Sequence, residues 1–580
     1  MRYLLIAALA ASPAVAQQAA DAVDPEAATG LVQDAPAPVT SQDWMVAAAN
    51  PLASEAGARV LREGGSAADA MVAVQAVLGL VEPQSSGLGG GAFLVYYDAE
   101  TGEMTTLDGR EKAPLAATPT LFQVDGDTMG FWDAVVGGLS VGTPGTPMLM
   151  EEAHRRWGTA NWGGLFEDAI AHAEDGFAVS PRLAMLVADG RDRLETFADT
   201  AAYFYPDGEP IAEGDTLTNQ AYADTLRAIA AHGTDAFYSG EIAEGIVAAV
   251  RANTGVTGVE GLLSMEDMAA YDVVERPAVC APYRGAEVCG MGPPSSGALT
   301  VGQILMMLEP HDLAAMGPDD PDAWRLIGDA SRLAFADRGL YMADSDFVPM
   351  PRLLDAGYMA GRAALLFGDD ALPEVSAGNP PWDHAALDLA PGWSPSMPST
   401  SHISIVDADG NALSMTTTIE NGFGSRVMAP GGFLLNNELT DFSFATHDDG
   451  RPVANRVEPG KRPRSSMSPT IVMRNGTPEL VVGSPGGSRI IGYVAKTIVA
   501  YMDWGLDPQE AVALPHLVNR FGTYDLEEGT TAEDLAGPLG EMGFETNVRD
   551  LTSGLHVVAV TDQGLVGGAD PRREGVAIGE

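Results

Sequence analysis

The segment from Pro398 to Ser443, PSTSHISIVDADGNALSMTTTIENGFGSRVMAPGGFLLNNELTDFS, constrains the fold more tightly than any other. His402 to Val406 alternates polar and apolar side chains and then meets a turn of Asp407, Ala408, Asp409, Gly410 and Asn411. Ala412 to Ile419 is again strand-like, rich in threonine and in β-branched or apolar residues. The pattern predicts a β-hairpin with Thr400 at the mouth of its first strand. Upstream, the Pro- and Ser-rich WSPSMPST reads as exposed loop. A hydroxyl residue at such a boundary is ordinarily just a strand start, so position alone gives Thr400 no chemistry.

Earlier in the chain, Met45 to Ala49 reads as a short strand and Pro51 to Arg62 as a helix stopped by Gly64 and Gly65. Ser66 caps a second helix, Ala67 to Val81, with Asp69 in its first turn. The glycine-rich QSSGLGGGA from Gln84 to Ala92 leads into a strand, Phe93 to Tyr97. A dinucleotide loop would open a helix instead, which excludes that reading. Gly138 to Gly142 matches G-x-S-x-G, with Ala134 to Val136 as the strand before it. The two prolines in Thr143 to Pro147 deny Ser140 the helix that a nucleophile elbow requires.

From Pro147 to about Ala336 the pattern is mainly helical, and the loop Pro293 to Gly297 precedes a helix over Ala298 to Met307. Ala371 to Pro398 is proline-rich and exposed in character. After the hairpin, strands are expected at Phe433 to Asn436, Ile471 to Arg474 and Leu480 to Gly483. Gly487 and Ser488 open a helix to about Trp504, and His556 to Val560 and Leu565 to Ala569 are closing strands.

With 580 residues, 46% of them hydrophobic, the chain can bury a large core. Its net charge of −48 repels phosphates, which excludes nucleic acid and anionic membrane surfaces as partners. Met1 to Ala16 has the early arginine, short apolar core and Ala-Val-Ala end of a secretory signal peptide. Residues 17–40 read as a disordered N-terminal segment, and no later apolar run is long enough for stable membrane insertion. A periplasmic or secreted location follows. Cys280 and Cys289 flank a turn at Tyr283 to Ala286 and would face each other; in an exported chain a disulfide fits, with two free thiols as the alternative. No His-Cys cluster has metal-ligand spacing, so neither a metal nor an organic cofactor is expected.

Beyond Thr400 come Thr416-Thr417-Thr418, Asn436-Asn437-Glu438-Leu439-Thr440-Asp441-Phe442, Arg464-Ser465-Ser466-Met467-Ser468-Pro469 and Gly483-Ser484-Pro485-Gly486-Gly487-Ser488. With these motifs in this order, the chain resembles the γ-glutamyltransferase (γ-glutamyltranspeptidase) family of N-terminal-nucleophile hydrolases over nearly its whole mature length. The resemblance implies an α+β fold, a four-layer αββα sandwich formed jointly by two subunits of one precursor. The large subunit would span 41–399 and the small one 400–580, with cleavage between Ser399 and Thr400. A freed Thr400 amine, with an ordinary pKa of about 8, would then serve as base for its own hydroxyl.

By the same resemblance, Thr418 orients Thr400, and the N–H groups of Gly486 and Gly487 stabilise the oxyanion. Arg110, with Ser465 and Ser466, would bind the α-carboxylate of a γ-glutamyl substrate of the glutathione class. Asp441, supported by Glu420 and Glu438, would bind its α-amine. The γ-glutamyl group, carried on Thr400 as an acyl-enzyme, would be passed to water or to an amino acid or peptide acceptor. Two alternatives stay open: a glutaryl or cephalosporin acylase of the same fold, and a catalytically silent periplasmic binding protein. The span between Asp441 and Ser465 is shorter than in relatives that carry an aromatic lid there, and it contains no tyrosine, so an open site is expected.

Overall fold

The computed structural model describes residues 36–392 and 399–580. Residues 1–16, read as a signal peptide, most of the 17–40 segment and the end of the proline-rich loop lie outside the described residues. Two seven-stranded sheets form the centre. The first runs Val576–Gly579, Met45–Ala48, Ser401–Val406, Ala412–Thr418, Gly91–Tyr97, Met104–Gly109 and Val274–Arg276. The second runs Val39–Ser41, Gly564–Ala569, His556–Thr561, Thr477–Gly483, Thr470–Arg474, Ala286–Gly290 and Val279–Tyr283. Every neighbouring pair in both is antiparallel. Segments from either side of the Ser399–Thr400 bond alternate in each sheet, so neither segment closes a sheet alone.

Helices cover the outer faces. Pro51–Arg62 starts with proline at its first position and Asn50 accepting from Leu52 N–H. Ala67–Val81 begins with a reciprocal Ser66–Asp69 capping box and is buried along its whole length. Its apolar character on every side suits a helix wedged between a sheet and further helices. On the second sheet lie Gly297–Leu308 and Ile490–Met502, and Pro321–Tyr341 packs on Gly297–Leu308. Apolar side chains fill both helix–sheet layers. A third apolar layer, including Met45, Val95, Ile471, Val481 and Val558, joins the sheets face to face. Four layers, αββα, result.

Several expectations need correction. Val39–Ser41, whose first two residues fall in the segment read as disordered, is an edge strand paired with Gly564–Ala569. Phe433 to Asn436 is no strand: Leu434 and Leu435 make only single bridges, to Met428 and Gly89. Residues 134–135 end a short helix, Phe131–Val135, rather than a strand, and buried Ser140 donates to the Val135 carbonyl at 2.8 Å. Cys280 faces Cys289 across the predicted hairpin, and their sulfurs are bonded.

Candidate active site

The central hairpin opens onto the site. Ser401 faces Thr417 in its register, which leaves Thr400 and Thr418 as the next pair outward. Their hydroxyl oxygens lie 3.1 Å apart. Thr418 accepts a hydrogen bond from the Glu420 N–H (2.9 Å) and donates its own proton to the Ser399 carbonyl (2.8 Å). A hydroxyl has one proton and two lone pairs. With that proton committed, Thr400 must be the donor in its contact with Thr418. On the other side, Arg573 Nη1 donates to the Thr400 carbonyl at 3.0 Å, and the Ser399 hydroxyl donates to the Gln84 carbonyl at 2.7 Å. The chain is thus held on both sides of the Ser399–Thr400 bond.

The glycine-rich loop supplies room. A Cβ on Gly90 would stand 2.0 Å from the Thr418 carbonyl oxygen, and one on Gly89 2.1 Å from that of Leu434. No side chain fits between these backbones. Past Thr418 the chain turns sharply, with Glu420 at φ +76° and Phe423 at +66°, a left-handed backbone that non-glycine residues seldom adopt. Asn437 secures the turn by donating to the Glu420 carboxylate.

Thr400 and Thr418 border a cavity that Arg110, Glu420, Glu438, Asp441, Ser465, Ser466 and Gly487 also line. Of the cavity candidates named from sequence, Gly486 alone stands outside this lining. It has φ +134°, and a Cβ there would lie 2.7 Å from the Tyr493 ring; Gly487 has φ +58°. Among the described residues, no acceptor takes the N–H of either glycine.

Arg110 is wholly buried just past the strand Met104–Gly109. Its guanidinium donates to Asp441 at 2.5 Å, to Glu438, and to the Pro463 carbonyl at 3.1 Å. The sequence reading assigned Arg110 and Asp441 to opposite charges of a ligand; without a ligand they are bonded to each other. Burial pushes the Glu438 carboxyl upward, with the charge of Asp441 adding and Arg110 opposing. Burial likewise raises Glu111, which sits against Glu438.

Three neighbours escaped the sequence reading: Glu111, Arg338 and Arg573. Arg573 lies just past the closing strand at Leu565 to Ala569, and its link to Thr400 spans 173 positions. None of residues 442–464 lines the cavity. Phe444 instead stacks on Phe122, ring centres 4.6 Å apart, and its carbonyl accepts from Gln123 at 2.9 Å.

Comparison with known proteins identifies the family and the fold. Residues 53–580 match the family described as Gamma-glutamyltranspeptidase. The glutathione hydrolase proenzyme of Bacillus subtilis (strain 168) is 37% identical, over 93% of this chain and 92% of that protein. The glutathione hydrolase proenzyme of Escherichia coli (strain K12) is 36% identical, over 99% and 97%. Among solved structures, cephalosporin acylase from Bacillus halodurans superposes with a TM-score of 0.83 at 26% identity, covering 94% of this chain and 98% of that one. The fold of this chain is thus the N-terminal-nucleophile hydrolase sandwich, and the chain belongs to the gamma-glutamyltranspeptidase family.

Proposed function

We propose that the chain is an exported, self-processing γ-glutamyltransferase and hydrolase acting on glutathione-class γ-glutamyl compounds. The observation that carries this reading is the proton order around Thr418. Its hydroxyl donates to the Ser399 carbonyl and receives the Thr400 hydroxyl. In the precursor, Thr400 Oγ1 attacks the Ser399 carbonyl carbon, whose oxygen Thr418 polarises. The acyl group passes from nitrogen to oxygen, and water then hydrolyses the ester. Ser399 leaves as a carboxylate and Thr400 gains a free amine.

Loss of the Ser399 carbonyl frees the Thr418 proton, so Thr418 can now donate to Thr400 Oγ1. The new amine takes the Thr400 hydroxyl proton during attack on the γ-carbonyl. The Gly486 and Gly487 N–H groups receive the developing oxyanion, and the amine returns the proton to the leaving nitrogen. Water or an acceptor amine then releases the γ-glutamyl group from Thr400. The serine end of the cavity suits the substrate's α-carboxylate, and Glu420 and Asp441 suit its ammonium group. The leader-like residues 1–16 and the Cys280–Cys289 bond support export.

Purified chain should run as two fragments on a denaturing gel, the smaller beginning at Thr400, and should cleave γ-glutamyl-p-nitroanilide. Thr400→Ala should give one band and no turnover. A Thr400→Ala chain that is still cleaved at this bond overturns the mechanism. The acylase reading draws support from the absence of residues 442–464 from the cavity lining and from the cephalosporin acylase likeness. It wins if glutaryl-p-nitroanilide is cleaved with the higher kcat/KM.

A further inference from the structure

Ser465 and Ser466 face the cavity, but what lies behind them is unlike the Arg110 side. Both Nη groups of Arg110 are already committed to carboxylates. Behind the serines, Arg338 is 6% exposed and donates to two hydroxyls, Nε to Ser296 Oγ at 2.8 Å and Nη2 to Ser466 Oγ at 2.7 Å. No carboxylate among the described residues forms an ion pair with it. Arg464, next to it, spends Nη1 on the Arg338 and Met342 carbonyls at 3.0 and 3.2 Å. Burial, with the charge of Arg464 adding to it, works against the Arg338 cation, while Asp441 favours it. A guanidinium stays charged under such pressure, so this end of the cavity carries positive charge that no carboxylate among the described residues pairs with directly.

The hydroxyl protons complete the picture. Ser466 Oγ accepts from Arg338, and among the described residues nothing accepts its own proton. Ser465 Oγ accepts from the Met467 N–H at 3.1 Å and is in the same position. With one lone pair of each taken from behind and no acceptor among the described residues for either proton, both serines can turn an O–H toward the cavity. Ser296 fixes the arrangement by donating to the Ser465 carbonyl at 2.6 Å. The cavity is therefore dipolar, positive behind the serines and negative at Glu420 and Asp441.

We propose that Arg338 is a positioning residue for the substrate's α-carboxylate, acting through Ser466. It turns the serine hydroxyl into an oriented donor and places a second guanidinium behind the carboxylate site, in addition to Arg110. This role rests on the γ-glutamyl reading. It also explains how one short cavity can seat both charges of an amino-acid head group while excluding an acyl donor that lacks the carboxylate.

The test compares γ-glutamyl-p-nitroanilide with 4-aminobutyryl-p-nitroanilide, which keeps the amine and lacks the α-carboxylate. In Arg338→Gln that has cleaved itself into two fragments, KM for the γ-glutamyl donor should rise at least about tenfold, as expected for loss of a charge-assisted contact. Its kcat should stay near wild type, and kcat/KM for 4-aminobutyryl-p-nitroanilide should not change. Arg338→Gln combined with Ser466→Ala should be no worse than Ser466→Ala alone. An unchanged KM, or an equal fall on both donors, overturns the role.

A wild-type enzyme indifferent to the α-carboxylate sinks the γ-glutamyl reading and this role together. A wild type that requires the carboxylate, beside an unaffected Arg338→Gln, sinks the role alone. Should Arg338→Gln not fold, Arg338→Lys carries the test. Its single ammonium cannot serve Ser296 and Ser466 with fork geometry, so a smaller KM rise is expected, and no rise overturns the proposal.

Discussion

Two hairpins in this molecule are clamped in opposite ways. In the hairpin of Val279–Tyr283 and Ala286–Gly290, facing Cys280 and Cys289 are joined covalently. In that of Ser401–Val406 and Ala412–Thr418, facing His402 and Thr416 share a 2.9 Å hydrogen bond. The first hairpin ends its sheet and leaves residues on both strands open to water. The second is buried at every position and has a strand on either side. Hydrogen bonds gain strength where water is absent and lose it where water competes. The centre can therefore dispense with a covalent clamp, whereas an edge benefits from one. In the proposed mechanism the centre also carries the chemistry, because its register delivers Thr418 to the Ser399 carbonyl.

The largest effect should come from breaking that delivery. Thr418→Val keeps the shape and removes the donor to the Ser399 carbonyl. Appearance of the two fragments should slow by about 10²-fold or more, as for loss of one oxyanion donor, and Thr418→Ser should restore most of the rate. A gel time course at fixed temperature measures this. Cleavage of the valine variant at the wild-type rate would mean that the central register does not deliver the catalytic donor.

A pH series sharpens the comparison next. His402 and His556 lie between the sheets, their ring centres 6.5 Å apart. Burial holds His402 well below its ordinary value, with His556 adding to the effect. Burial lowers His556 from 6.5 to about 4, with Asp570 opposing. Both rings stay neutral in the fold, while the unfolded chain takes up protons below about 6.5. Their contribution is therefore fully present above pH 6.5 and is lost as pH falls toward about 4. For His556 this is on the order of 3 kcal/mol at the bottom of the window. Carboxylates titrate in the same range, so the readout is a difference: Tm between pH 7.5 and 4.5 should fall more steeply in wild type than in His556→Leu. Parallel slopes would remove the central layer's claim to be held by neutral histidines. The disulfide does not titrate and adds no slope.

Local patterns in the sequence carried over well. Pro51–Arg62 and Ala67–Val81 appear at their expected bounds because proline, Asn50, Ser66 and Asp69 mark their starts. The hairpin around Asp407 to Asn411 appears because its turn residues and alternation agree. What stayed illegible depends on distant partners. Val39–Ser41 is a strand because Gly564–Ala569 runs beside it, and nothing in its own residues signals that. Phe433 to Asn436 has strand composition, but its neighbours are loops that offer single bridges. In the site, residues in compact motifs could be named from sequence. Arg338 sits on an ordinary-looking helix and reaches Ser466 across 128 positions, so its place could be read only from the fold.

The smallest effect should follow removal of the edge clamp by Cys280→Ser with Cys289→Ser. The cysteines are nine positions apart, and closing so short a loop limits the unfolded chain by about 2–3 kcal/mol. Little of this should reach the global transition, since an edge hairpin can fray while the rest stays folded. A Tm loss of only about 2 °C is expected in a chain of this size, together with faster amide exchange over residues 279–290. KM and kcat should hold. One path from this hairpin to the site runs past Gly290 to Ser296, which donates to the Ser465 carbonyl. Along that path Glu287–Gly290 is paired with Thr470–Met473, a ladder that remains when the sulfurs separate. A raised KM in the serine variant would show that fraying passes this ladder, and the edge could no longer be treated as independent of the centre.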